Sequence, residues 1–188
     1  LPQQQPARRA IMTSTSTPET FHFGYGETGI GTVLVAMSDR GIAAILLADS
    51  RPKVRRELAE AFPAVHLVED QAGLAATIAQ VAAFIDAPGQ GLDLPLDLRG
   101  NPLELAVWAA LQAIPSGETR SYGALAKTLP IPATAQEVGA ACAANVLAVA
   151  VPCHRVVKAD GSISGYRWGV QRKRRLINLE GLGLETLA

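Results

Sequence analysis

Residues 122–157 read YGALAKTLPIPATAQEVGAACAANVLAVAVPCHRVV, from Tyr122 to Val157. The stretch predicts two short helices, Tyr122–Leu129 and about Ala135 to Asn145, around the helix-breaking turn Pro130-Ile-Pro132. Thr134, with Glu137 three residues on, forms a capping-box pattern for the second helix. Two short helices joined so tightly fit a helix-turn-helix. The body of the second, Gly139-Ala-Ala-Cys-Ala-Ala144, is small-sided, which suits close helix packing. After Asn145 an apolar run, Val146 to Val151, reads as a strand that Pro152 ends, and Cys153-His154-Arg155 follows at once.

A thiol beside an imidazole is a candidate nucleophile with its base. Only thiolate reacts readily, and an ordinary cysteine, pKa ~8.5, is mostly protonated at neutral pH. His154 and Arg155 are basic neighbours that favour the charged form. Successive strand residues point to opposite faces, so Cys153 and His154 meet only across a turn or through a bridging water. Taken alone, the pair also reads as a buried cysteine beside a surface histidine.

Working outward, Val156–Val157 and Ile163 flank Asp160-Gly161, a hairpin turn and candidate wing. A helix over about 170–180 ends at Glu180-Gly181. A helix dipole disfavours an anion there, which marks Glu180 as placed for something other than helix stability. Upstream, Asn101-Pro102 with Glu104 opens a helix whose buried stripe is Leu103, Val107, Leu111 and Ile114. Pro115-Ser-Gly117 stops it, and Trp108, off the stripe, reads as interdomain packing. The first half predicts strands at Phe21–Tyr25, Thr32–Met37 and Ile42–Leu47, then a helix from about Pro52 to Phe62. A short strand near Val65–Val68 follows, and then a helix carrying Leu74, Ile78, Val81 and Ile85. The expected organisation is a tail or linker (1–20), a small α/β scaffold domain (21–90), a connecting segment (91–100) and a mainly helical domain (101–182).

The 188 residues carry no net charge, but the charge is unevenly placed. Residues 151–180 hold seven Lys/Arg against Asp160 and Glu180, whereas residues 1–100 hold eight basic against eleven acidic. That asymmetry points to a nucleic-acid-facing end. Cys142 and Cys153 make no disulfide framework, and no apolar stretch is long enough to span a membrane. A reduced, cytoplasmic protein with no membrane association is expected. With no CxxC and with His22, His66 and His154 scattered, no metal site is expected.

Gly139-Ala-Ala-Cys-Ala-Ala-Asn145, the Pro-Cys-His-Arg core, Gly161-Ser-Ile-Ser-Gly-Tyr-Arg-Trp-Gly-Val-Gln-Arg-Lys173 and Leu179-Glu-Gly181 occur in fixed order. This string resembles the O6-alkylguanine-DNA alkyltransferases, most closely the C-terminal part of Ada-type repair proteins. The resemblance is dense from about Asn101 to Gly181 and weaker back to Phe21. It implies a ribonuclease-H-like N-terminal domain and a winged helix-turn-helix. The implied activity is a single-turnover, irreversible transfer of an alkyl group to Cys153 from O6-alkylguanine, and also O4-alkylthymine, in double-stranded DNA. It implies no cofactor and a monomer, in some relatives part of a larger Ada-type polypeptide.

By the same resemblance His154 takes the thiol proton through a water, Glu180 orients His154, and Tyr122 protonates N3 of the leaving guanine. Asn145 supports the turn, Ser164 lies near O6, and Val156 and Arg155 contact the substrate. The implied DNA-facing residues are Gln136, Arg120, Ala141 and Ala144, the small residues letting the helix backbone approach a narrow groove. At Gln136 the chain departs from its relatives, which place an arginine there to fill the vacated base position. Two rival readings are a non-catalytic alkylated-DNA-binding module, against which Cys153 argues, and a cysteine hydrolase, which would turn over repeatedly.

Overall fold

The computed structural model describes residues 17–182; most of the expected 1–20 tail lies outside them. β1 (Thr20–Thr28), β2 (Gly31–Ser38) and β3 (Gly41–Ala48) form an antiparallel meander, followed by α1 (Arg51–Ala61). β4 (His66–Glu69) then returns parallel to β1, giving the order β3-β2-β1-β4, and α2 (Ala75–Asp86) follows. α1 buries Val54 and Leu58, and α2 buries Ile78, Val81, Phe84 and Ile85. Ser50 caps α1 through the Lys53 amide, and Pro52 sits in its first turn, where no amide donor is missed.

All eight residues of β3 are buried although it is the last strand of the sheet. Its free edge is covered twice. Ile42 donates to the Pro95 carbonyl at 2.9 Å and accepts from Asp97 at 2.8 Å. Ile45 donates to Val146 and accepts from Ala148, both at 2.9 Å. A continuous apolar strand therefore serves as the rail on which the connecting segment and the segment before Cys153 both dock. Gly41 is required at the first docking point: its φ is +148°, and a Cβ there would lie 2.4 Å from the Pro95 carbonyl oxygen.

The second half contains α3 (Pro102–Gln112), β5 (Arg120–Ser121), α4 (Tyr122–Thr128), α5 (Ala135–Ala144), β6 (Val156–Val157) and α6 (Val170–Ile177). Both capping boxes form, Asn101 with Glu104 and Thr134 with Glu137. Trp108 is 3% exposed: its indole N–H donates to the Ala141 carbonyl at 2.9 Å, tying α3 to α5, and its ring lies against Gly100 at the end of the connecting segment. Two expectations, the 146–151 strand and the hairpin at 158–163, need correcting. Residues 146–151 form no strand; they make one bridge to Ile45 and then turn, with Val149 at φ +67°. The 158–162 turn closes through Lys158 N–H to Ser162 O at 3.0 Å, but no strand forms at Ile163, and β6 pairs in parallel with β5. In α6, Lys173 is fully buried and Arg172 binds the Ile30 carbonyl and Asp49.

Among the described residues no helix is long and apolar enough to cross a membrane. Among the same residues no cluster of three His, Cys, Asp or Glu side chains is placed to hold a metal ion.

Candidate active site

Cys153 opens a single 3-10 turn, Cys153–Arg155, whose three residues are all buried. Asn145, at the end of α5, sets its position. The amide oxygen of Asn145 accepts from the Leu147 N–H at 2.8 Å, and its NH2 donates to the Val151 carbonyl at 2.9 Å and to Cys153 Sγ at 3.4 Å. Positive φ is a rare conformation for a β-branched residue, and Val149 adopts it between these anchors. The Asn145 bonds and the bridge to β3 hold the segment there.

The turn sends His154 and Arg155 to one acid. His154 Nε2 lies 2.7 Å from Glu180 Oε1. Arg155 Nε donates to Glu180 Oε2 at 2.9 Å, and its Nη2 donates to Oε1 at 2.6 Å. The remaining Arg155 donor reaches the Ile114 carbonyl at 2.7 Å. Glu180 sits in a π-helical turn, Asn178–Leu182, kinked at Gly181 (φ 132°). Burial alone would raise its carboxyl, but the hydrogen bonds and charges of His154 and Arg155 bring it down to about 2. Burial outweighs the Glu180 interaction at His154 and lowers its pKa, so the resting imidazole is neutral. The permanent guanidinium of Arg155 is thus the charge that holds Glu180 ionised. Nε2 carries the proton donated to Glu180, leaving Nδ1, which has no protein partner, as the basic nitrogen.

Burial also pushes the Cys153 thiol up, opposed by the Asn145 hydrogen bond and the Lys173 charge. The resting site therefore holds a thiol, in contrast to the expectation that its neighbours favour thiolate. Arg155 is neutralised by Glu180, and the cations nearest in effect are Lys173 and Arg167. Burial also raises the Cys142 thiol, to about 12. Cys142 and Cys153 both line a cavity of about 370 Å³ whose other walls are Tyr122, Gly139, Ala143, Gly165, Tyr166 and Arg167. The volume is that of a small-ligand pocket.

Tyr122 Oη lies 2.5 Å from Ser164 Oγ, and Lys173 Nζ donates to the same Ser164 oxygen at 2.9 Å. Sequence reasoning missed Lys173, Tyr166 and Arg167. The signal for Lys173 was its spacing, since 173, 176 and 180 share a helix face and Leu176 is fully buried.

Cys153, His154, Glu180, Asn145, Tyr122 and Ser164 are thus gathered into one place. Arg155 and Val156 do not line the cavity: Arg155 is held by Glu180, and Val156 is a buried strand residue paired with Arg120. Arg120 and Gln136 are exposed, Arg120 beside Glu118 at 3.3 Å. Ala141 points into the core and Ala144 is half-buried, so the outward face of α5 carries Gln136, Ala140 and Ala143 instead.

A family profile described as 6-O-methylguanine DNA methyltransferase, DNA binding domain, matches residues 102–182. The chain is 43% identical over 158 residues to the bifunctional transcriptional activator/DNA repair enzyme Ada of Escherichia coli, a match covering 84% of this chain and 45% of that protein. It therefore spans less than half of that relative's length. It is also 43% identical over 112 residues to the methylated-DNA–protein-cysteine methyltransferase of Mycolicibacterium paratuberculosis, covering 60% of this chain and 68% of that one. The crystal structure of Mycobacterium tuberculosis O6-methylguanine methyltransferase superposes with a TM-score of 0.68 at 33% identity, over 85% of this chain and 92% of the other. With the shared fold, the Pro-Cys-His-Arg turn and these identities together, the chain belongs to the methylated-DNA–protein-cysteine methyltransferase family.

Proposed function

We propose that the protein repairs DNA by moving the alkyl group of O6-alkylguanine, and of O4-alkylthymine, irreversibly onto Cys153. One observation carries the reading: a buried cysteine lines a cavity of about 370 Å³ while the next residue, an imidazole, is hydrogen-bonded to an ionised carboxylate. The alkyl carbon is inaccessible in stacked duplex, so the base is flipped into the cavity. As the thiol ionises its proton passes through a water to His154 Nδ1, and Glu180 stabilises the imidazolium. Sγ attacks the alkyl carbon, the C–O6 bond breaks with its electron pair leaving on guanine, and Tyr122 gives a proton to N3. Atoms and charge balance without a co-reactant. The thioether is stable, so each molecule acts once.

Asn145 holds the turn, and Ser164 lies near O6. Arg155 acts by keeping Glu180 ionised. DNA binds along the outward face of α5, with Gln136 at the position left by the flipped base and Arg120 beside it. The α4-turn-α5 unit with the 158–162 turn serves as a winged helix-turn-helix. Residues 21–90 serve as a ribonuclease-H-like scaffold, in keeping with the β3-β2-β1-β4 order. Residues 91–100 connect the scaffold to the reactive domain 101–182. We take the working unit to be monomeric, cytoplasmic and nucleoid-associated, and to form part of a larger Ada-type polypeptide.

Intact mass before and after incubation with duplex containing O6-methylguanine tests the reading. The protein should gain one methyl group, mapping to Cys153 and absent in Cys153→Ser. Repeated turnover with no mass gain would favour a hydrolase, and a methyl group on Cys142 would overturn the site.

A further inference from the structure

Glu57, on α1, carries a carboxylate oxygen with no partner. Its Oε2 is buried and accepts no hydrogen bond, and among the described residues no cation lies within ion-pairing distance of it. A buried acceptor left unmade is unfavourable and calls for a donor that reaches it in another state of the protein. Arg167 is placed to be that donor. At rest its Nη1 donates to the Ala143 carbonyl at 3.0 Å, and its guanidinium lies 5.8 Å from the centre of the Trp168 ring. Of the residues lining the Cys153 cavity, Ala143, Gly165 and Arg167 are the exposed ones, whereas both cysteines are buried. The mouth therefore lies between the end of α5 and residues 165–167, and the Arg167–Ala143 bond spans it. We propose that Glu57 is the seat to which the Arg167 guanidinium moves from Ala143 when an alkylated base enters, so that the 21–90 unit supplies a positioning residue for alkyl transfer. This rests on the alkyl-transfer reading above and gives the scaffold a part in admitting the base.

The exchange leaves no group worse paired than before. The guanidinium trades a neutral carbonyl for a carboxylate, a charge-assisted and stronger acceptor. The Ala143 carbonyl it leaves belongs to an exposed residue on the outward face of α5, where water can take the donor's place. The charged groups around Glu57 are Arg167 and Arg172 from the second half and Lys53 and Glu60 from its own helix. Arg172 is already held by Asp49 and the Ile30 carbonyl, which leaves Arg167 as the cation of the second half able to move. Burial raises the Glu57 carboxyl above its ordinary value, and the Arg167 charge is foremost among those pulling it back down. Arg167 also helps to lower the Cys153 thiol, so the same side chain faces both the seat and the reactive sulfur.

The test compares wild type, Glu57→Gln, Arg167→Ala and the double variant. Iodoacetamide labelling of Cys153 without DNA, followed by peptide mass, reads the opening of the mouth. Single-turnover transfer from O6-methylguanine duplex reads its consequence. At neutral pH Glu57→Gln should slow both about tenfold, the scale of one hydrogen bond to a charged group. In the Arg167→Ala background, where nothing spans the mouth, adding Glu57→Gln should change neither rate. The pH dependence separates the seat from a merely structural carboxylate. The ratio of wild-type to Glu57→Gln labelling, in which the titration of Cys153 cancels, should fall toward one as pH is lowered. The folded carboxyl titrates above 4.5, so at pH 4.5 Glu57 is more than half protonated and wild type approaches the variant. Equal labelling of wild type and Glu57→Gln at neutral pH would overturn the seat. So would a tenfold effect of Glu57→Gln that persists in Arg167→Ala, or a labelling ratio that does not change with pH. If labelling depends on Glu57 as expected but the wild-type protein gains no methyl group, the alkyl-transfer reading fails and the seat stands.

Discussion

Glu180→Gln removes the carboxylate that His154 and Arg155 share. The glutamine keeps one acceptor oxygen but turns an NH2 donor toward the donors of Arg155, whose guanidinium is left buried without an anion. Breaking a buried pair from one side costs about 3–5 kcal/mol. The depressed carboxyl leads to a similar figure: a fall from 4.5 to about 2 corresponds to about 3 kcal/mol of stability at neutral pH. Because the folded pKa lies below the unfolded one, this stability is fully present above 4.5 and is lost as pH falls from there toward about 2. Urea unfolding of wild type and variant, at about pH 6 and about pH 3, reads it directly. The stability gap between them should shrink by about 2 kcal/mol on acidification. A gap of the same size at both pH values would refute an ionised Glu180 held by Arg155. Alkyl transfer in single turnover should slow more than DNA binding weakens, because the imidazolium loses its counter-charge.

Gln136→Arg should tighten duplex binding and speed repair in duplex by about 1 kcal/mol, the scale of one screened charge contact, with little change toward a free O6-alkylguanine base. Unchanged duplex kinetics would mean another residue fills the gap, Arg120 first. Asn145→Ala strips partners from the Leu147 amide and the Val151 carbonyl and should cost about 2–5 kcal/mol by urea midpoint, with faster iodoacetamide labelling of Cys153; an unmoved midpoint would show that the turn does not depend on it. Gly117→Ala should cost at least about 1–2 kcal/mol, since φ there is +86° and the new Cβ would lie 2.9 Å from the Glu180 carbonyl oxygen. Transfer should slow with it, and a wild-type rate would show that Glu180 does not follow its backbone.

The elements that sequence reasoning placed well are those governed by contacts within a few residues. The two capping boxes, Pro102 at the start of α3 and the 130–132 break between α4 and α5 act over one helical turn, and they appear where local rules put them. The 146–151 run is the counter-example. Its β-branched, apolar composition predicts a strand, but a strand needs a partner edge. The edge of β3 is shared with residues 95–97, which leaves the run a single bridge at Ile45.

The same division holds at the site. Sequence alone pointed to the family, to the turn at Cys153 and His154 as the candidate site, and to Glu180 as an acid where a helix end disfavours one. These are order and spacing along the chain, and they survive without coordinates. Which base neighbours the thiol, and in what charge state, was decided only in three dimensions. Arg155 is turned away to Glu180, His154 is neutral, and Lys173 lies buried behind Ser164, although by composition all three are simply basic residues. The reason is desolvation: ionisation and reach depend on which distant elements exclude water from a side chain, and packing between α5, the Cys153 turn and α6 sets that.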